Sequence, residues 1–187
     1  MSEAIPSCPL PLQTLDTAKV GVISFTTVKG PFGWLGNMAP FPIVYRDLTY
    51  RTPEALFQCL RFEGEPEIQQ VIREQRSPMA AKWKAGDFSG RLKVPLRDAA
   101  DLDRMRLCLR LKLEQHPALV AQLAATGSNV IVEDCTARPS DREIDGGVVP
   151  NPFWGMNRMG SIWRGNNALG VLWMDLRNSG RCPSRVR

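Results

Sequence analysis

The apolar positions of this chain change period partway along it. Residues 1–18 are proline-rich and show little periodicity, which predicts a loose N-terminal arm ending near residue 19. The run from Val20 to Val28, VGVISFTTV, is short and β-branched and predicts a strand. Lys29 to Pro42 is dense in glycine and proline, as loops are, yet it carries Phe32, Trp34, Leu35, Met38 and Phe41. A solvated loop rarely holds that many large apolar side chains, so this one packs as a lid over the core or lines a pocket. Asn37 is the polar residue within it, suited to a left-handed turn or to a ligand contact. Ile43–Tyr45 and Leu48–Tyr50 flank Arg46-Asp47, the pattern of a hairpin.

After Tyr50 the period becomes helical. Thr52 is a good N-cap and Pro53 a good first helical residue. In the helix they open, Glu54, Gln58 and Arg61 fall on one stripe, while Phe57 and Leu60 occupy the neighbouring one. A second helix follows Pro66, and a third follows Ser77-Pro78 and carries Lys82, Trp83 and Lys84. Asp87 to Pro95 reads as a turn-rich connection. Asp98 to Gln115 is the longest helical segment, with Leu102, Met105, Leu109 and Lys112 on one stripe that Cys108 and Leu111 widen. His116-Pro117 stops it, and Ala118 to Ala125 forms a short helix ended by Gly127. Asn129 to Val132 is a short buried strand finishing in Glu133 and Asp134, a common site for functional carboxylates and equally a plain polar strand end. Cys135 to Pro150 is a long polar loop, and loops of that length are functional or disordered. Phe153-Trp154-Gly155 returns to aromatic character, and Gly165-Asn166-Asn167 opens the last helix, Ala168 to Arg177.

Strands come first and helices mostly after, with no βαβ repeat and no G-x-G-x-x-G. The order predicts a single α+β, mainly helical domain over residues 20–178, between the arm at 1–19 and a basic tail at 179–187. It argues against a dinucleotide-binding parallel sheet.

Composition narrows this further. The 187 residues suffice for one core without staples. A net charge of +5 and a pI near 9.2 suit an anionic ligand, a nucleotide or nucleic acid, although the 24 Lys and Arg are scattered rather than in blocks. No stretch reaches the ~18 apolar residues of a membrane span, which predicts a soluble cytoplasmic protein. The five cysteines are odd in number and far apart, and His116 is the one histidine, which argues against a zinc site and leaves no metal or cofactor expected. At a helix end, His116 suits the dipole and a structural role.

Candidate chemistry centres on Glu54. A first-turn carboxylate with polar partners ionises easily, because the dipole and free N–H groups favour the anion. It either complements the helix end or does chemistry.

Three separated stretches decide how to read it. Gly30-Pro31-Phe32-Gly33-Trp34-Leu35-Gly36-Asn37 resembles the Gly-Phe-Leu-Ser-Asn-Phe loop of the NADAR family, the YbiA-like N-glycosidases. Thr52-Pro53-Glu54-Ala55-Leu56-Phe57-Gln58 through Arg61-Phe62 is similar to that family's Thr-x-Glu-His-x-x-Gln-x-x-Lys-Phe helix. Phe153-Trp154-Gly155, with Gly165-Asn166-Asn167-Ala168-Leu169-Gly170 and Leu172 to Arg177, looks like its Trp-Gly, Gly-x-Asn-x-Leu-Gly and Leu-Met-Glu-Leu-Arg ending. Ser77-Pro78-Met79 and Lys112 to Pro117 fit between them. The resemblance covers roughly residues 22–177.

The resemblance implies a mainly helical α+β domain that hydrolyses the N-glycosidic bond of an ADP-ribosyl or phosphoribosyl conjugate. ADP-ribosylated guanine, in a nucleoside or in DNA, is the leading substrate, ahead of a phosphoribosylamino-pyrimidine of riboflavin synthesis. The family's catalytic glutamate falls on Glu54. Breaking a ribosyl C–N bond builds positive charge on the sugar, which a fixed carboxylate stabilises, and no metal is needed. Trp34 and Trp154 stack on a base, cover the sugar or simply pack in the core. Arg61 and Lys82 suit phosphates, and Phe32, Asn37, Gln58 and Asn167 complete the substrate contacts implied. The chain departs from the family pattern at Gly36 for serine, Ala55 for histidine and Arg61 for lysine. Arg97 stands where YbiA-like members carry a catalytic tryptophan, and Asn151 where they carry an aspartate. Arg138-Pro139 resembles a longer loop of other members, so a partner acid is expected from Asp145, with Asp141 or Asp134 behind it. An ADP-ribose-binding module without hydrolysis is the alternative, and a protein binding nucleic acid through its basic surface is a third reading.

Overall fold

The computed structural model describes residues 9–92, 94–136 and 152–179. The helix starts form as the capping residues dictate. Thr52 Oγ1 accepts the Ala55 amide at 3.2 Å and opens α1 (Pro53–Leu60). Glu65-Pro66 opens α2 (Pro66–Arg73). Ser77 Oγ accepts the Ala80 amide at 3.1 Å and opens α3 (Pro78–Asp87). Asp98 accepts the Asp101 amide at 2.8 Å and opens α4 (Ala99–Gln115). The Thr52, Ser77 and Asp98 side chains each satisfy one of the amides a helix start leaves orphaned, whereas Glu65 makes no side-chain cap bond. Helix α5 (Ala118–Ala125) and helix α6 (Ala168–Asn178) follow.

The strands are short and form three separate groups. Strand β1 (Gln13–Asp16) pairs antiparallel with β7 (Ile162–Gly165), which pairs antiparallel with β6 (Asn157–Met159). Strand β2 (Val22–Phe25) lies parallel to β5 (Val130–Glu133), with Val22 opposite Val130 and Phe25 opposite Glu133. Strands β3 (Ile43–Tyr45) and β4 (Leu48–Tyr50) form the expected hairpin, with Arg46 and Asp47 both at positive φ in its turn. The fold is the expected mainly helical α+β domain.

Two expectations change. Residues 13–16, placed in the loose arm, form β1; the Gln13 side chain donates to Asn166 O at 2.9 Å, so the domain reaches back into that stretch. Strand β5 starts at Val130 rather than Asn129 and ends in Glu133. A parallel pair does exist, but one long crossover through α1 to α5 joins its strands, so it is no βαβ repeat.

Helix α1 is the hub. Its residues Pro53 to Cys59 are all buried, and it packs on α2, α3 and α4. Leu56, Leu109, Ile131 and Trp173 meet in the core below it, each at 1% exposure or less. Helix α6 leans on β5 so closely that a Cβ on Gly170 would lie 2.0 Å from Ile131 O, which accounts for glycine there. Among the described residues, no helix is long and apolar enough to cross a membrane.

Candidate active site

Glu54 sits in the first turn of α1 and is 3% exposed. A carboxylate so deep needs hydrogen bonds in place of water, and it has them from two side-chain amides. Gln58, one turn along the same helix, donates Nε2–H to Oε1 at 2.8 Å. Asn37 Nδ2 donates to Oε2, and Asn37 O accepts the Glu54 amide at 2.9 Å. The loop residue therefore holds both the side chain and the backbone of the glutamate. Burial pushes the Glu54 carboxyl above its ordinary value; the Gln58 bond and the Lys82 and Arg61 charges pull against that, while Glu133 adds to it.

These groups line one small cleft of about 80 Å³, whose walls include Asn37, Glu54, Gln58, Arg61, Lys82, Glu133 and Trp154. Trp154 meets Phe57 edge to face at 5.4 Å between centroids. A Cβ on Gly155 would fall 2.2 Å from Glu133 O, so only glycine after Trp154 lets that segment close onto the end of β5. The Trp-Gly pair thus sets the indole beside the second carboxylate.

Arg61 is anchored from behind. Its Nε donates to Asp101 Oδ1 at 2.9 Å and its Nη2 to Oδ2, with Asp101 fully buried and the guanidinium 4.2 Å from the Phe57 ring centroid. A bidentate pair fixes the plane of the cation. The Arg97 amide also donates to Asp101 Oδ2, at 3.0 Å. Beyond Gln58, Arg61 and Lys82 opens a second cavity of about 200 Å³ whose other walls include Phe62, Ala85, Leu92 and Leu96. A larger groove of about 540 Å³ between α4 and α6 is lined by Asp103, Arg106 and Asp175 among others, but no buried carboxylate faces it.

Six of the expected site residues therefore converge: Asn37, Glu54, Gln58, Arg61, Lys82 and Trp154. Three others do not line the cleft. Phe32 packs against the core. Trp34 meets Trp173 edge to face at 5.8 Å, so this part of the loop packs on the core while Asn37 and Met38 line the cleft. Asn167 is fully buried at the start of α6 with a left-handed backbone, and its Nδ2 donates to Ile131 O at 2.9 Å. Asp134 Oδ1 accepts the Thr136 amide at 2.9 Å, also away from the cleft walls. Asp145, Asp141, Arg138-Pro139 and Asn151 lie outside the described residues. Arg97 is exposed and not on the cleft wall. Glu133 and Asp101 are the acids that sequence reasoning did not assign to the site. His116 does bind structurally, through Nε2 to Pro42 O at 2.7 Å. Among the described residues, no group of histidines, cysteines and carboxylates is arranged to hold a metal ion.

Residues 24–179 match the NADAR domain. The chain belongs to the NADAR family. It is 33% identical to N-glycosidase YbiA of Escherichia coli K12 over 159 residues, covering 83% of this chain and 86% of that protein. It is 32% identical to N-glycosidase YbiA of Shigella boydii with the same coverage. The NMR structure of the E. coli protein YbiA superposes with a TM-score of 0.67 at 31% identity, covering 85% of this chain and 84% of that one. The NADAR match covers every residue that lines the cleft, from Asn37 to Leu169.

Proposed function

We propose that this NADAR protein is an N-glycosidase that hydrolyses the bond between a ribosyl C1′ and a base nitrogen in an ADP-ribosyl conjugate, with ADP-ribosylated guanine the leading substrate. The observation that carries the reading is a buried glutamate held by two amide donors in a cleft that also presents a second carboxylate and two cations.

In this reading Glu54 acts as the ionised group. Both of its oxygens accept N–H bonds, which favour the anion, and it stabilises positive charge that grows on the ribose as the C1′–N bond lengthens. Glu133 takes a proton from the attacking water as the water oxygen bonds to C1′ and the C1′–N bond breaks, and that proton then passes to the departed base nitrogen, which returns Glu133 to its ionised form. Trp154 covers the sugar and limits water access. Arg61, already planar against Asp101, and Lys82 receive phosphate oxygens.

The two cavities favour a substrate in two parts. About 80 Å³ beside Glu54 suits a pentose, and the neighbouring 200 Å³ lobe across the cations suits a flat ring at the far end of a pyrophosphate. A phosphoribosyl group alone would leave that lobe empty. The departures at Arg97 and Asn151 motivate the second reading, an ADP-ribose-binding module without turnover.

The test is to incubate the protein with ADP-ribosylated guanosine, with DNA carrying ADP-ribosylated guanine, and with the phosphoribosylamino-pyrimidine, following released sugar phosphate by chromatography. Release of ADP-ribose, lost in Glu54→Gln, is expected. Tight calorimetric binding of ADP-ribose with no turnover of any conjugate would establish the binding module instead.

A further inference from the structure

Behind the cleft, the structure buries a charge that the reaction does not touch. Lys112 lies on the apolar stripe of α4 and is fully buried. Its Nζ donates to Trp34 O and, at 2.9 Å, to Gly36 O. The ammonium also sits 4.8 Å from the Phe41 ring centroid and 5.5 Å from that of Trp173. The Trp173 indole N–H takes the carbonyl between those two, Leu35 O, at 2.8 Å. Three consecutive carbonyls of the turn are thus gripped from α4 and α6. The next residue is Asn37, which holds Glu54 at both its amide and its carboxylate.

We propose that Lys112 is a positioning residue of the active site: its ammonium clamps the Trp34–Gly36 turn so that Asn37 presents its amide to Glu54. This rests on Glu54 being the working carboxylate. The argument is geometric. A loop rich in glycine has many conformations of similar energy, and a one-residue slip would withdraw Asn37 from Glu54. Charge-assisted bonds to two carbonyls, backed by two aromatic faces, select one of them. An apolar side chain of similar length would fill the space without directing those carbonyls.

Burial alone depresses the Lys112 amine, to about 7. The ionisable groups on the elements packed around it are Asp101, Asp103, Arg104, Arg106, Cys108, Arg110 and Glu114 on α4 with His116 at its C-cap, Glu54 and Cys59 on α1, Tyr45 on β3, and Asp175 and Arg177 on α6. His116 is committed to Pro42 O, Asp175 pairs with Arg106, and Arg177 donates to Thr126 and Asn129. The clamp therefore weakens on the alkaline side of neutrality.

The experiment follows, by NMR without any substrate, the Lys112 side chain, the Asn37 side-chain amide and the Glu54 carboxyl from pH 4 to 10, in wild type, Lys112→Met and Lys112→Gln. In wild type the Asn37 amide signals are expected to move with the same midpoint as Lys112. In Lys112→Met the Glu54 carboxyl should titrate at higher pH than in wild type, since it loses a donor to its ionised form. Gln, which offers uncharged N–H donors, should restore part of that difference. An Asn37 signal that stays still while Lys112 titrates, or a Glu54 midpoint unchanged in folded Lys112→Met, overturns the proposal. Should Lys112→Met fail to fold, the wild-type titration alone decides. Turnover assays then separate the two readings, because a coupled Asn37 and Lys112 in a protein that cleaves no conjugate overturns the function and keeps the clamp.

Discussion

Glu54 and Lys112 are both buried ionisable groups that make no ion pair among the described residues, yet they sit in opposite situations. Glu54 lies on the wall of a cleft and is held by two side-chain amides. Lys112 lies behind the same loop, is not among the residues of that wall, and is held by two backbone carbonyls and two rings. Burial pushes the carboxyl up and the amine down, so in each case desolvation opposes the charged form. The contrast separates a charge aimed at a ligand from a charge aimed at the scaffold. It also shows that one turn, Trp34 to Asn37, is fastened by a cation on one side and fastens an anion on the other.

The sign of each contribution follows from linkage. A carboxyl raised in the folded state contributes stability that is complete below its unfolded value, about 4.3, and is lost as pH rises through the folded value. An amine lowered in the folded state contributes stability that is complete above its unfolded value, about 10.4, and is lost as pH falls through the folded value, about 7 here. Near neutral pH both groups weigh on the fold, as active sites often do.

The strongest way to break the comparison is Glu54→Gln. Turnover of ADP-ribosylated guanosine is expected to fall at least ~10³-fold. Urea melts at pH 7 should show the variant more stable than wild type, with the advantage shrinking toward pH 4. Equal turnover would remove Glu54 from the chemistry. Next comes Asp101→Asn, which takes the true counterion from Arg61 and leaves that cation unpaired in the interior. It should cost about 3 kcal/mol in the same melts, and a change under ~0.5 kcal/mol would mean that water already serves Arg61. A third measurement compares wild type with Lys112→Met across pH. Between about pH 7 and pH 10 the wild type should gain on the variant by up to ~1.4 kcal/mol per pH unit; a flat difference would mean that the amine keeps its ordinary affinity for protons. The smallest effect is Asn37→Ala, about tenfold on turnover at pH 7. The acid limb of its pH–rate profile should move to higher pH, because the ionised form of Glu54 loses a donor, and movement to lower pH would reverse the assignment.

Much of this was legible in the residues themselves. Thr52-Pro53, Ser77-Pro78 and Asp98 announced three helix starts, because a cap is a local event between neighbours. The stripe of Leu102, Met105, Leu109 and Lys112 already placed a lysine among core positions. Strands of three or four residues such as β1, β6 and β7 carry too few positions for alternation to register, and their pairing joins Gln13 to Gly165 across nearly the whole chain. The same distance hid the acids. Asp101 and Glu133 become site residues only when α4 and β5 close on α1, and nothing beside them in sequence names Arg61 or Glu54. Asn167 misled for the reverse reason: its place in a recognisable run reflects a buried corner between β5 and α6.

The parallel pairing of β2 with β5 carries a further consequence, for the order of events during synthesis. Strand β2 is made early and waits for a partner that follows five helices, and such non-local pairing is slow because the loop must close before any contact rewards it. Glu133 and Trp154 come later still than α1. The helices around Glu54 can consolidate on the ribosome while one wall of the cleft is unmade, so an incomplete chain exposes a buried carboxylate to water and lacks the finished cleft beside it.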